Sequence, residues 1–395
     1  MMLPLVAIVL TQLHFEASIG RQLSKNVIAH QQFKHAISAR FAQMRLRLVR
    51  DLNDDQESQE QGAYDHAGDI WGPKMDGGST ALVVRKGDEE FGDVIEIYTE
   101  IIDEQSKFNI NLLRHRDIKR RGKPFEVLAT LLDLFRDSQY GDMEPSEWDL
   151  DEREAKEVAT AIRKMLLGEL EGGMVPKAEV PDPTPDLKQG VYTIEDLAFA
   201  HPLFVERRIF ERFTDVESGQ VIRPLSDYIT IYGDGRINVN TAPIQVLRAL
   251  FRDEEGRRDV AERILEGRGG FLETEDGDEA RDEQRERRRE AEQSGEDVEE
   301  DEELSASYTS LQEITQVEGM SDSGFLRSND LDVARDFGVR TMFFRVRVSA
   351  RRDQFLRQEE RVFERHVAGC ITWESTVRIA DVTDLPENTG GDAEE

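Results

Sequence analysis

The sequence predicts an α+β protein with one long N-terminal helix, an antiparallel sheet, and an all-α domain inserted between the two parts of that sheet. Three observations predict this class. Residues 22–52 carry apolar side chains at helical spacing without Pro or Gly. Alternating, β-branched segments occur at 94–102 and again at 342–350. The chain between them is helical in pattern, so we expect the two strand regions to complete one sheet.

The composition makes binding to nucleic acid or to an anionic membrane surface a poor general expectation, which only a local basic patch could change. The chain of 395 residues has a net charge of −31 and a pI near 4.7, and such a field repels nucleic-acid phosphates and anionic lipid surfaces. Cys370 is the single cysteine, so neither an internal disulfide nor a thiolate metal cluster is expected. The length suffices for two or three domains with cores of their own.

The N-terminal helix is predicted over residues 1–52, apolar at first and amphipathic afterwards. Its first fifteen residues, MMLPLVAIVLTQLHF, are shorter than the roughly twenty needed to span a bilayer. We expect them to contact a membrane or partner helices. The candidate residues for that contact are Leu3, Leu5, Val6, Ile8, Val9, Leu10 and Leu13.

The predicted sheet belongs to a split α/β domain of residues 53–115 and 335–382. Segments 81–86 and 94–102 read as strands before the insertion. Segments 342–350 and 365–374 read as two strands after it, with Val367, Ile371 and Trp373 in the second. The polar stretch 351–360 is predicted to be the connection between these two strands.

The inserted helical domain is predicted over residues 116–334. Helical patterns occur at 124–135 and 152–167, and Thr193 is a candidate N-cap. In the segment YGDGRINVNTAPIQVLRALF, we expect Asn240 or Thr241 to cap a helix that has Pro243 in its first turn. The acidic tract 273–305 is predicted to be a disordered insertion, and 383–395 an acidic disordered tail.

Several segments in a fixed order give the chain a family resemblance. They are YDHAGDIW, DEQSKFNIN, GRINVNTAPIQVLRAL and VRTMFFRVRVSA. In this order they resemble the K-type minor pseudopilin of the type II, or general, secretion pathway. The residues that carry the resemblance are Tyr64, Asp65, Trp71, Asp103, Asn109, Asn111, Ile237, Asn238, Asn240, Thr241 and Ala242. The family's Asp-Trp-(Ile/Leu)-Asp signature is not visible, which indicates a divergent member.

The resemblance implies a pilin-like fold whose inserted domain is SAM-like, that is, related to helix-hairpin-helix domains. It also implies a protein at the tip of a periplasmic filament, assembled with I- and J-type minor pseudopilins and the secretion platform. Such a protein initiates the filament and supports export of folded proteins through the outer membrane. Its N-terminal helix would be a single-pass inner-membrane anchor. The family's basic leader ending in Gly does not precede the apolar run, and we expect the upstream reading frame to supply or exclude it.

Members of the family are also implied to bind calcium in the globular region. The acidic turns around Asp65, Asp69 and Asp103 are candidate ligands, and the sequence does not choose among them. No other cofactor is expected.

The main alternative is a DNA-binding helix-hairpin-helix module, because NVNTA also opens such units in competence-type receptors. Those hairpins hold phosphate through a Gly-hydrophobic-Gly turn, which FRDEEGRRDV at 251–260 lacks. An enzyme is not indicated either. The seven histidines have no metal-binding spacing, and no nucleophile-elbow, P-loop or dinucleotide motif occurs.

Overall fold

The computed structural model describes residues 2–57, 65, 80–84, 93–114, 118–136, 148–167, 194–214, 221–252, 256–268, 307–352, 355–366 and 368–378. The chain divides into two compact units. Unit 1 takes its described residues from 1–51, 70–102 and 345–395, and unit 2 from 52–69 and 103–344. The domain boundaries stated above stay predictions. The acidic segments 273–305 and 383–395 lie outside the described residues.

The predicted N-terminal helix is confirmed as α1, Met2–Glu57, with 56 residues. Its C-terminal half buries Phe33, Ile37, Phe41, Met44 and Leu48, the residues whose spacing predicted the helix. Earlier in the helix, the large apolar side chains that the structure describes are exposed: Leu13, Phe15, Ile19, Leu23, Val27 and Ile28.

None of the described helices contains a stretch that is both long enough and apolar enough to cross a bilayer.

Among the described residues, five strands form the main sheet in the order β1-β2-β9-β10-β11, numbered along the chain. The two outer pairs, β1–β2 and β10–β11, are antiparallel. In β2, Ile95 and Ile97 are buried whereas Glu96 and Tyr98 are partly exposed, as their alternation predicts. The α+β class is therefore confirmed. The strand bounds are Thr80–Val84, Asp93–Asp103, Phe343–Arg352, Phe355–His366 and Gly369–Arg378.

The prediction of two C-terminal strands is wrong, because the structure has three. Most of the stretch 351–360, predicted to be a connection, lies in β10. This strand lacks an apolar alternation because the side chains it directs at α1 are mainly charged. The Arg361 guanidinium lies 4.1 Å from the centre of the Phe41 ring, and Arg365 Nη1 lies 2.6 Å from Asp51 Oδ2. Ile371 and Trp373 do lie in a strand, β11, and both are exposed.

Unit 2 is mainly helical in its described part, with short strand pairs that the sequence did not predict. Its α-helices, α2 to α9 in chain order, are Ile118–Leu134, Glu152–Leu166, Leu203–Glu206, Ile244–Ala249, Ala261–Gly267, Leu311–Gln316, Ser323–Ser328 and Val333–Asp336. A π-helical turn spans Gly256–Val260, and the 3-10 turns are Glu104–Ser106, Ile110–Arg114, Ile194–Phe199 and Leu225–Asp227. The strands are β3, Phe108–Asn109; β4, Phe213–Thr214; β5, Val221–Ile222; β6, Ile229–Thr230; β7, Ile237–Asn238; and β8, Phe337–Gly338. They pair as β3–β6 and β7–β8, both parallel, and as β4–β5, antiparallel.

The start of α3 shows how local chemistry sets a helix in unit 2. Asp151 Oδ1 accepts from the Glu154 backbone N–H at 2.7 Å, and Glu154 Oε2 accepts from the Asp151 N–H at 3.3 Å. This reciprocal capping box satisfies two donors that a helix start leaves without partners. The helix then buries Ala155, Val158 and Ile162 in the core of unit 2.

The predicted cap of α5 is wrong. The helix starts at Ile244, Pro243 occupies the N-cap position, and no side chain caps it. Asn240 and Thr241 lie before the helix because their side chains bind other segments, as described below. Thr193, the other candidate cap, lies outside the described residues.

Unit 1 provides a stability test at Arg365 and Asp51, whose side chains are 1% and 7% exposed. Arg365→Met leaves the Asp51 charge buried, so we expect a loss of about 3 kcal/mol in the free energy of unfolding. Adding Asp51→Leu should recover most of that loss. Urea unfolding followed by circular dichroism measures both.

The matched control is the Lys156–Glu152 pair of α3, whose side chains are 58% and 77% exposed. Lys156→Ala should change the stability by less than about 0.5 kcal/mol. An Arg365→Met variant as stable as this control would contradict the expected role of the buried pair.

Candidate functional site

Five consecutive polar residues, Asp103 to Lys107, are buried where β2 ends, and Asp103 is the last residue of that strand. Each of these residues is at most 7% exposed. Burying polar groups costs several kcal/mol unless hydrogen bonds replace the lost water. We call residues 103–107, together with Asp65, Asn238, Thr241 and Thr341, the polar hub. All of it belongs to unit 2.

The Asp103 carboxylate accepts hydrogen bonds at both oxygens. Oδ1 accepts from the Gln105 backbone N–H at 2.7 Å, which caps the 3-10 turn. Oδ2 accepts from Asn238 Nδ2 at 2.9 Å and from Thr341 Oγ1 at 2.6 Å. The Thr241 hydroxyl also donates to Oδ2. Four donors from three parts of the chain therefore converge on one carboxylate.

Asp65 lies on the other side of the same cluster and is 1% exposed. Its Oδ2 accepts from the Thr341 N–H at 2.7 Å, and its backbone N–H donates to the Val339 carbonyl at 2.7 Å. Asn238 Nδ2 contacts the Asp65 carbonyl at 3.2 Å. Thr341 therefore binds both carboxylates, through its N–H and its hydroxyl.

The remaining hub residues are also paired. Lys107 Nζ lies 3.0 Å from Glu104 Oε1 and donates to the Ser226 carbonyl at 3.1 Å. Glu104 Oε2 accepts from Thr230 Oγ1 at 2.5 Å. Gln105 Oε1 accepts from the Met342 N–H at 2.5 Å. The hub thus holds β6 and the start of β9 with neutral donors and one buried ion pair.

The other residues singled out in the sequence lie near the hub. Asn109 Nδ2 donates to the Tyr232 and Gly233 carbonyls, and Asn111 Nδ2 donates to the Ile231 carbonyl. Asn240 binds the backbone N–H and carbonyl of Tyr308, each at 2.9 Å. Ile237 and Ala242 are buried in the core.

Not every predicted site residue can be placed. Tyr64 and Trp71 lie outside the described residues, and so do the side chains of the apolar run from Leu3 to Leu10. Leu13 is exposed. The roles assigned to all these residues stay predictions.

Sequence reasoning missed Thr341, Tyr308 and Arg268 as members of this region. The only available signal was indirect: a run of five polar residues follows an apolar strand without the Gly or Pro expected of a surface turn. That pattern indicates burial with hydrogen-bond partners, but it does not identify them.

Residues 237–285 match the family model of type II secretion system protein K. The described part of that segment contains β7, the residues that enter the hub, α5 and α6. The resemblance to the K-type protein predicted above is therefore confirmed. None of the curated proteins compared with the chain matches it.

A solved structure supports the fold. One chain of the crystal structure of the GspK-GspI-GspJ complex from the enterotoxigenic Escherichia coli type 2 secretion system matches with a TM-score of 0.54. The sequence identity is 12%, and the match covers 90% of this chain and 99% of that chain. At this identity the likeness shows the fold alone.

The hub of this K-like fold holds a perturbed acid. The pKa of Asp103 is raised from 3.8 to about 6, mainly by burial and to a smaller extent by the nearby Asp65. The hydrogen bonds from Thr241, Thr341 and Asn238 act in the opposite direction, but burial has the larger effect. Asp103 is therefore close to half protonated in mildly acidic solution.

The calcium that the K-type resemblance implies does not fit Asp103. Calcium needs six to eight oxygen ligands, and both Asp103 oxygens already accept hydrogen bonds from protein donors. Within the described ranges, no group of three His, Cys, Asp or Glu side chains could hold a metal ion. Asp69, another candidate, lies outside those ranges.

The raised pKa of Asp103 predicts a specific pH dependence. The folded state binds a proton more tightly than the unfolded chain between about pH 4 and pH 6, so stability rises as the pH falls through this window. The full difference is on the order of 2–3 kcal/mol. The contribution of Asp103 is obtained by comparing urea unfolding of the natural chain and of Asp103→Asn at several pH values, because Asn cannot titrate. Equal slopes in the two proteins would contradict the assignment.

Thr341 provides a second test of the hub. Thr341→Val keeps the shape but removes the hydroxyl that binds Asp103 and contacts Asn238. We expect a loss of about 1–3 kcal/mol in the free energy of unfolding, because buried polar groups lose a partner. Thr341→Ser keeps the hydroxyl and is the matched control, with a smaller loss. A loss for Thr341→Val that is smaller than the loss for Thr341→Ser would contradict the expected role of the hydroxyl.

Proposed function

We propose that the chain is a K-type minor pseudopilin that takes part in type II secretion from the tip of a periplasmic filament. It initiates the filament with I- and J-type minor pseudopilins and supports export of folded proteins through the outer membrane. The main support for this proposal is the match of residues 237–285 to protein K. The same segment contributes Asn238 and Thr241 to the hub.

The exposed half of α1 supports assembly with partner helices. Six large apolar side chains between residues 13 and 28 are 41–64% exposed, whereas Phe33, Ile37, Phe41, Met44 and Leu48 of the second half are buried. Exposed apolar helix surface of this kind is covered in the working state by another helix or by lipid. The similar solved structure is a complex of GspK with GspI and GspJ, so we assign those partner types to this chain.

A tip position is supported by the size of unit 2. This unit comprises residues 52–69 and 103–344, and in the sequence its larger part separates the first two strands of the main sheet from the last three. Subunits inside a helical filament must pack closely on every side, and a large inserted unit hinders that packing. The groups of the hub are engaged in hydrogen bonds with one another, so a structural role is proposed for it rather than catalysis.

DNA binding is the weaker alternative. A π-helical turn at Gly256–Val260 directly precedes α6, and the sequence from 251 to 260 lacks the Gly-hydrophobic-Gly turn that would offer backbone N–H groups to phosphate. The net charge of −31 also opposes it. Tight, salt-sensitive DNA binding in a gel-shift assay would favour this alternative.

The test of the proposed function is co-purification with I- and J-type partners from the host envelope. Leu23→Glu combined with Val27→Glu places charges on the exposed apolar half of α1. We expect recovery of the partners to fall at least about tenfold, because a charge cannot be buried unpaired in a helix contact. Secretion by a strain relying on this variant should fall in parallel.

The matched control is Ser18→Glu, which adds a charge at an exposed polar position of the same helix stretch. It should leave partner recovery within about twofold, since a solvated charge costs little. Full partner recovery and full secretion with the double variant would argue against the proposed assembly through α1.

A further inference from the structure

The chain leaves the described part of unit 2 at Arg268 and returns to it at Ser307. The 38 residues between them include the acidic tract, and from 273 to 303 their one large apolar residue is Val298. A segment of this composition has almost no apolar surface with which to stabilise a fold. The residues on either side of it therefore have to close the fold themselves.

Arg268 binds the end of α6 to the segment 239–242 through hydrogen bonds. Its Nη1 donates to the Val239 and Ala242 carbonyls, each at 2.8 Å. Burial of the guanidinium lowers the pKa of Arg268 to about 10, so the group stays charged at neutral pH. Charge-assisted hydrogen bonds to carbonyls are among the stronger bonds of a protein interior.

The returning end is fastened to the same loop by Tyr308. Its backbone N–H and carbonyl bind the Asn240 side chain, and its hydroxyl donates to the Ile264 carbonyl at 3.2 Å. Tyr308 is 5% exposed, and burial raises its pKa to about 12. Neither anchor changes its protonation near neutral pH.

The two ends also meet each other. Gly267, the last residue of α6, lies so close to the Tyr308 hydroxyl that a β-carbon at 267 would collide with it. Both ends are therefore held against residues 239–242 and against one another. We call Gly267, Arg268, Tyr308 and Asn240 the stem.

We propose that the stem closes unit 2 on its own, so that the fold does not need the acidic residues 273–303. Any role of the tract in a partner contact is separable from the folding of the chain.

The first experiment replaces residues 273–303 with an eight-residue Gly/Ser linker in the full-length chain. Such a linker reaches about 26 Å when extended, ample for ends that contact one loop. We expect Tm to stay within about 2 °C or to rise, because a shorter loop loses less entropy on closing. A second variant with a sixteen-residue linker shows whether a loss of Tm arises because the shorter linker strains the fold. Retention of Tm with either linker supports the proposal, and a fall of more than about 5 °C with both overturns it.

The second experiment is a double-mutant cycle on the stem. Arg268→Met should lower Tm by about 5 °C in the natural chain and by the same amount in the linker variant, since the carbonyls it binds belong to unit 2. Arg263→Met is the matched control on α6, where the ion pair with Glu318 is exposed, and it should shift Tm by no more than about 1 °C. An Arg268→Met effect confined to the natural chain would overturn the proposal.

Discussion

A carboxylate withdrawn from water persists only where other donors replace the water, and Asp103 is held by four of them. The donors come from residues 105, 238, 241 and 341, so the carboxylate is satisfied only when these segments have reached their final positions. Partial assembly would leave a buried acceptor without partners, which costs more than a fully made or fully absent network. This requirement ties the inserted helices of unit 2 into one cooperative arrangement.

Hydrogen bonds and an ion pair likewise allow the charge of the neighbouring Glu104 to be buried. Glu104 is fully buried, but Lys107 neutralises it from three residues away, and the Thr230 hydroxyl and the Ser226 carbonyl provide further hydrogen bonds to this pair. Opposite charges close together on one turn avoid the large cost of an isolated buried ion. The hub therefore concentrates polarity in a small volume while the surrounding core of unit 2 remains apolar.

What the sequence predicted well depends on local periodicity. The helix α1 and strand β2 follow from side-chain spacing, because one face of each is apolar and the other is polar. The strand β10 was missed because arginines replace the expected apolar side chains on the face toward α1. Asp65, Asp103, Asn238 and Thr241 were singled out by resemblance, whereas their convergence could not be predicted, since partners such as Asn238 and Asp103 are separated by 135 residues.

The arginines of β10 have a mechanical consequence. Arg357, Arg361 and Arg365 lie at every fourth position of the strand and contact His30, Phe41 and Asp51 of α1. Sliding α1 by one helical turn would move it about 5.4 Å and separate all three contacts at once. These contacts therefore favour one position of α1 along its axis on the sheet of unit 1. A force applied along α1 is transmitted to the strands as a load on the whole unit, because the helix cannot slip past them.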